Sequence, residues 1–174
     1  MKKALGTFAV AALLIAAAAL VFVYSGWYNV AASEPHTRAT RVVLEAVMEN
    51  SVKARADGIR APENFTREMA RQGAGHYAEY CVMCHGAPGV QRGELGAGLT
   101  PRAPELSKAA TGWTPAEMFW ITKHGIKMTG MPAWGVSHSD EELWHVVAFV
   151  TLLPQLSADE YKTMTAEAGG HRHH

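Results

Sequence analysis

The sequence predicts an all-α chain, on three observations. Helix-start signals recur along it: Thr114-Pro115-Ala116-Glu117, Ser139-Asp140-Glu141-Glu142 and Ser157-Ala158-Asp159-Glu160. Each places a hydroxyl residue three positions before a glutamate, so that side chain and backbone can cap one another. A run from Ala4 to Tyr24 carries no charge at all. Two cysteines, Cys81 and Cys84, stand three positions apart, which puts both on one side of a helical turn. At 174 residues the chain has room for one compact domain plus appendages. Lys+Arg and Asp+Glu number 16 each, a balance that gives no basis for a nucleic-acid partner.

The uncharged run would span about 30 Å as a helix, the thickness of a bilayer's hydrocarbon core. Lys2 and Lys3 precede it and predict a cytoplasmic N-terminus. Tyr24, Trp27 and Tyr28 follow, the amphipathic aromatics expected at the outer interface. The competing reading is a signal peptide processed near Val30-Ala31-Ala32. The apolar core of such a peptide runs about 7–15 residues, shorter than this one, so a retained anchor is favoured. Either way the rest of the chain is exported. The expected divisions are 1–26 as transmembrane anchor or signal, 27–62 as connector, 63–156 as the main domain, and 157–174 as a short helix with a His-rich tail.

In the connector, residues 33–37 carry a proline and several capping residues and read as a break. Residues 38–57 read as a helix with Val43, Val47 and Ala54 near one face, closed by Gly58. It is either a stalk that docks on a membrane partner or a spacer lying loosely on the main domain. The narrow apolar stripe favours the spacer.

Asn64 or Thr66 opens the next helix, which leads into Cys81-Val82-Met83-Cys84-His85. This is C-x-x-C-H, the attachment signal for a c-type haem. Two thiols at this spacing reach the two vinyl groups of one porphyrin, and the adjoining histidine comes under the ring, where its imidazole can bind iron. The alternatives are a lone disulfide, a thioredoxin-like pair or half of a zinc site. A closed zinc site needs more ligands nearby, and a thioredoxin pair needs a βαβ setting that is not visible. Attachment of c-type haem takes place on the exported side of a bacterial membrane, in agreement with the N-terminal segment.

Gly73 and Tyr77 lie eight and four residues before Cys81, intervals that place them on the helix face carrying that cysteine. With the C-x-x-C-H motif, they make residues 64–155 resemble a class I mono-haem cytochrome c of the membrane-anchored bacterial type. The resemblance implies a fold of four or five helices around one covalent haem c. It implies that Gly73 and Tyr77 meet Val146 and Phe149 where the first and last helices cross. It also implies that the carbonyl of Pro104 accepts the Nδ1 hydrogen of His85, with Pro101 the less favoured choice, while Leu106 packs on the ring. Gly130-Met131-Pro132 matches the loop in which the family places its sixth ligand, a soft thioether that raises the potential and fills the iron's open position. Met128, which lacks the following proline, His124 and Met118 are the rivals for that role. Trp134 either donates its indole N–H to a haem propionate or serves in packing alone.

Outside these motifs, Thr114 opens a helix that stops at Gly125, with Met118, Phe119 and Ile121 as its apolar face. Ser139 opens one that ends before Pro154, with Leu143, Val146, Val147, Phe149 and Val150 apolar. The glycine-rich stretch after His85 reads as irregular loop, and His76 and His138 read as surface residues. The tail His171-Arg172-His173-His174 is a weak metal site or an unstructured end.

The expected function is one-electron transfer at the periplasmic face of a bacterial inner membrane. The partners would be a bc-type complex, a dehydrogenase or a terminal oxidase, with no small-molecule substrate. One alternative is an electron-transfer subunit of a larger membrane complex. A less favoured one is a gas sensor or peroxidase with a displaceable methionine.

Overall fold

The computed structural model describes residues 2–108 and 112–168. Helices account for all of its regular structure, and among the described residues the β-pairing is an isolated bridge between Ala87 and Val90. The tail from His171 to His174 lies outside the described residues.

The chain divides into two units after Glu34. The first contains helix α1, Lys2–Tyr24. Its apolar side chains are exposed all round, and the span Lys3–Tyr24 is long and apolar enough to cross a membrane. A helix with no polar face gains nothing by lying on a protein surface in water, whereas lipid accommodates it on every side.

The second unit begins at Pro35 with α2, Arg38–Ala56, capped by the Thr37 hydroxyl, which accepts the Thr40 N–H. This helix packs on α6, and its inward row is Leu44, Met48, Val52 and Ala56, each four residues from the last. The expected face is therefore corrected: Val43 and Val47 are 59% and 61% exposed. A shift of one position turns a helix by about 100°, and valines lie on both sides of that choice.

Helix α3, Arg67–His76, starts at Thr66, whose side chain accepts the Met69 N–H. The helical path continues through a π turn, Tyr77–Cys81, into α4, Val82–His85. The π turn adds a residue to the hydrogen-bonded repeat, and Cys81 at its end still packs against the cluster that buries Tyr77. Next come α5, Glu94–Ala97, a short helical turn within the glycine-rich stretch expected to be irregular, and α6, Pro115–His124. Then follow α7, Asp140–Leu152, a 3-10 turn at Leu153–Gln155, and α8, Ala158–Ala168. Complete capping boxes at Thr114 and Ser139 open α6 and α7 where the sequence predicts them.

The core forms where α3 crosses α7. Gly73 lets the backbones touch: a Cβ there would lie 2.0 Å from the His145 carbonyl oxygen and 2.8 Å from the Val146 nitrogen. Tyr77 is fully buried against Phe149, their ring centres 5.1 Å apart, and its hydroxyl donates to the Gly86 carbonyl at 2.6 Å. Helix α8 packs on α3 and adds Tyr161 and Met164 to this cluster, so it is part of the main core and not an appendage. A second cluster joins Phe119 of α6 to Leu143 and Val147 of α7, with Phe119 stacked on Trp144 at 4.2 Å.

Candidate functional site

The C-x-x-C-H stretch ends the helical path that Gly73 and Tyr77 hold against α7. Both cysteines are unpaired thiols, so neither is spent in a disulfide. Cys81 packs against the α3–α7–α8 cluster, and burial, with a smaller contribution from Cys84, pushes its thiol up to about 12.

His85 is oriented from the far side of the loop that follows it. Its Nδ1 lies 2.9 Å from the Pro104 carbonyl oxygen. A carbonyl only accepts, so Nδ1 carries the hydrogen and Nε2 keeps its lone pair. Burial lowers the imidazole's proton affinity, the Pro104 carbonyl opposes that shift, and Arg92 adds to it. The result is a neutral ring with one nitrogen prepared for a metal.

Pro104 is itself held by its neighbour. Glu105 receives the Arg92 guanidinium at 2.6 Å and also pairs with Lys108. These two partners, Lys108 first, hold the carboxyl below its usual range. The Arg92–Glu105 pair joins the chain just after the motif to the chain that presents the carbonyl. Leu106 follows and, like Cys81 and Val82, packs against the α3–α7–α8 cluster.

The Met131 loop leaves α6 at Gly125. This residue has φ +63, and a Cβ on it would approach the Met131 carbonyl oxygen to 2.6 Å. Only glycine combines that conformation with that approach. Met131 is half-buried, whereas Met128 is 77% exposed at the tip of the turn with φ +61. His124 is exposed and stacks on Trp120 at 5.0 Å, and Met118 packs in the second core cluster.

Trp134 opens a 3-10 turn and rests on Tyr80, ring centres 5.2 Å apart, and on His138 at 5.5 Å. His138 also faces His76 at 5.3 Å, and His76 Nε2 lies 4.0 Å from Glu142. His76 and His138 are therefore half-buried members of a ring cluster, not the surface residues expected. The sequence hides this because the two meet only through the folding of α3 against the approach to α7. Cys81 and Trp134 line one small cavity together with these rings, Thr122, Leu143 and Val146. A larger groove, bordered by Arg55, Arg60, Trp120 and Trp144, lies between α2, α6 and α7 and includes none of the motif residues.

The donor set fits a c-type haem. Two free thiols stand three positions apart in the chain, a neutral imidazole offers Nε2, and a thioether stands on a separate, braced loop. The same stretch matches a known family. Residues 68–150 match the model of a family described as cytochrome c oxidase, cbb3-type, subunit III. No curated protein matches the chain. The matched region, all-α and carrying the C-x-x-C-H motif, is a mono-haem c-type cytochrome domain that binds haem c covalently and serves in electron transfer.

Proposed function

We propose that this chain passes single electrons along a respiratory chain, with its haem domain periplasmic and α1 holding it at the bacterial inner membrane. Cys81 and Cys84, both free thiols, would hold the haem covalently through its two vinyl groups. His85, through Nε2, and Met131, through its thioether sulfur, would hold the iron. The group so held supplies an iron that cycles by one electron between two low-spin states. The remaining work belongs to the protein. Pro104 fixes the imidazole tautomer, Leu106 and Trp134 support the pocket, and Met131 would keep oxygen and peroxide from the iron. That exclusion makes the site a carrier and argues against gas sensing or peroxidase chemistry.

The observation that carries this reading is the His85 Nδ1 contact with the Pro104 carbonyl, 2.9 Å, because it leaves Nε2 to a metal, a purpose it would not have beside a lone disulfide, while a closed zinc site lacks its further ligands among the described residues. A second reading makes the chain a subunit of a larger oxidase. It is favoured by the description of the matched family and by α2, which packs on the domain and still presents exposed Val42, Val43 and Val47 outward.

Spectroscopy tests the ligand assignment. The oxidised protein should show the weak far-red band of methionine-bound ferric haem. Met131→Ala should abolish it and Met128→Ala should keep it. The reduced wild type should combine with CO only very slowly; rapid CO binding would turn the assignment toward sensing or catalysis.

A further inference from the structure

Thr129 stands two residues before Met131 and is involved with both ends of the loop at once. Its hydroxyl donates to the Ile126 carbonyl oxygen at 2.7 Å and accepts the Met131 N–H at 3.1 Å. The loop closes a second time when the Ile126 N–H donates to the Met131 carbonyl at 3.3 Å. Both backbone polar groups of Met131 are therefore committed, one to a side chain and one to the start of the loop. Gly125 seals the base: a Cβ there would lie 2.6 Å from the Met131 carbonyl oxygen. The tip, Met128, adopts a left-handed backbone that a non-glycine residue enters only at a cost. The hydrogen bonds keep it there.

We infer that Thr129 is a positioning residue for the sixth ligand: its hydroxyl clasps the 126–131 loop so that the Met131 thioether is held in place before it meets iron. The inference rests on the ligand assignment proposed above. A thioether is a weak ligand, and an unclasped loop would lose backbone freedom at each residue ordered on binding. A loop ordered in advance leaves more of the bond's strength for ligation. The clasp thus governs how often the sulfur leaves the metal, and with it how far small ligands are excluded.

The test uses the full-length holoprotein and four forms: wild type, Thr129→Val, Thr129→Ser and Met131→Ala. Valine keeps the shape and removes both hydrogen bonds; serine keeps the hydroxyl. Covalent haem content and helical circular dichroism are read first, and Thr129→Ala replaces the valine variant if that one does not assemble. Two hydrogen bonds lost should raise the rate of CO combination with the reduced form by roughly tenfold or more. The far-red band should weaken and disappear at a lower pH than in wild type. Serine should restore both. If Thr129→Val keeps the wild-type band and CO rate while Met131→Ala loses the band, the clasp has no part in ligation and the inference fails alone. If Met131→Ala keeps the band, the ligand assignment itself is overturned and the clasp falls with it.

Discussion

A methyl group at residue 73 would sit 2.0 Å from the His145 carbonyl oxygen, an atom of the α7 backbone that no rotamer change can move aside. Gly73→Ala must therefore push α3 from α7, at an expected cost of about 3 kcal/mol. Urea unfolding reads this directly; an unchanged midpoint would mean that the crossing separates freely. That contact was legible because a glycine and an aromatic four residues apart, just before C-x-x-C-H, match the family pattern. His76 was not legible, because its neighbours His138 and Glu142 come from a distant part of the chain. Burial holds its imidazole below the ordinary value, His138 and His145 add to that, and Glu142 and Glu79 oppose it. Tyr80 and Trp134, neither charged at neutral pH, complete the ring cluster. A histidine depressed in the folded state takes up its proton more readily when unfolded. Its contribution is thus present above about pH 6.5 and is lost as pH falls toward the folded value. Between about pH 7.5 and 5.5 the wild type should lose more stability than His76→Gln; equal losses would remove His76 from the account.

The starts of helices α6 and α7 were legible to the residue, because a capping box is a local signal whose two partners are three positions apart. The π turn was not, since nothing in Tyr77-Ala78-Glu79-Tyr80-Cys81 separates hydrogen bonds five residues apart from those four apart. Helix α2 was legible as a helix, but its buried face was not. Val43 and Val47 compete with Leu44, Met48 and Val52 for the inward side, and only the shape of α6 decides between them. Helix α8 was legible by its Ser157 cap, but its importance was hidden in two residues. Tyr161 and Met164 are 6% and 5% exposed, and the Tyr161 ring centre lies 6.2 Å from Phe149. If α8 is part of the core, Tyr161→Ala should cost about 3 kcal/mol, as for other large aromatic truncations. A loss no larger than that of an ordinary surface substitution, about 0.5 kcal/mol, would take α8 out of the core.

Over the whole molecule, the matched region covers residues 68–150, and the chain adds helices on both sides of it. Two of these, α2 and α8, bury apolar rows against the cytochrome domain, Val52 at 1% exposure and Met164 at 5% among them. Helix α1 differs in kind. Every one of its described side chains is exposed, and its sequence from Ala4 to Tyr24 contains no charge. Leaving about 20 such residues in water is strongly unfavourable, and a bilayer removes that cost without requiring a protein partner. Alkaline carbonate strips proteins held by charge or by shallow contact but leaves a spanning helix in lipid. After such a wash the haem absorbance should remain with the membrane pellet, in a chain whose mass still includes residues 1–24. Haem recovered in the supernatant on a chain that begins near Ala32 would mean that α1 had served as a cleaved signal. Haem recovered in the supernatant on an intact chain would mean that the helix does not span the membrane at all.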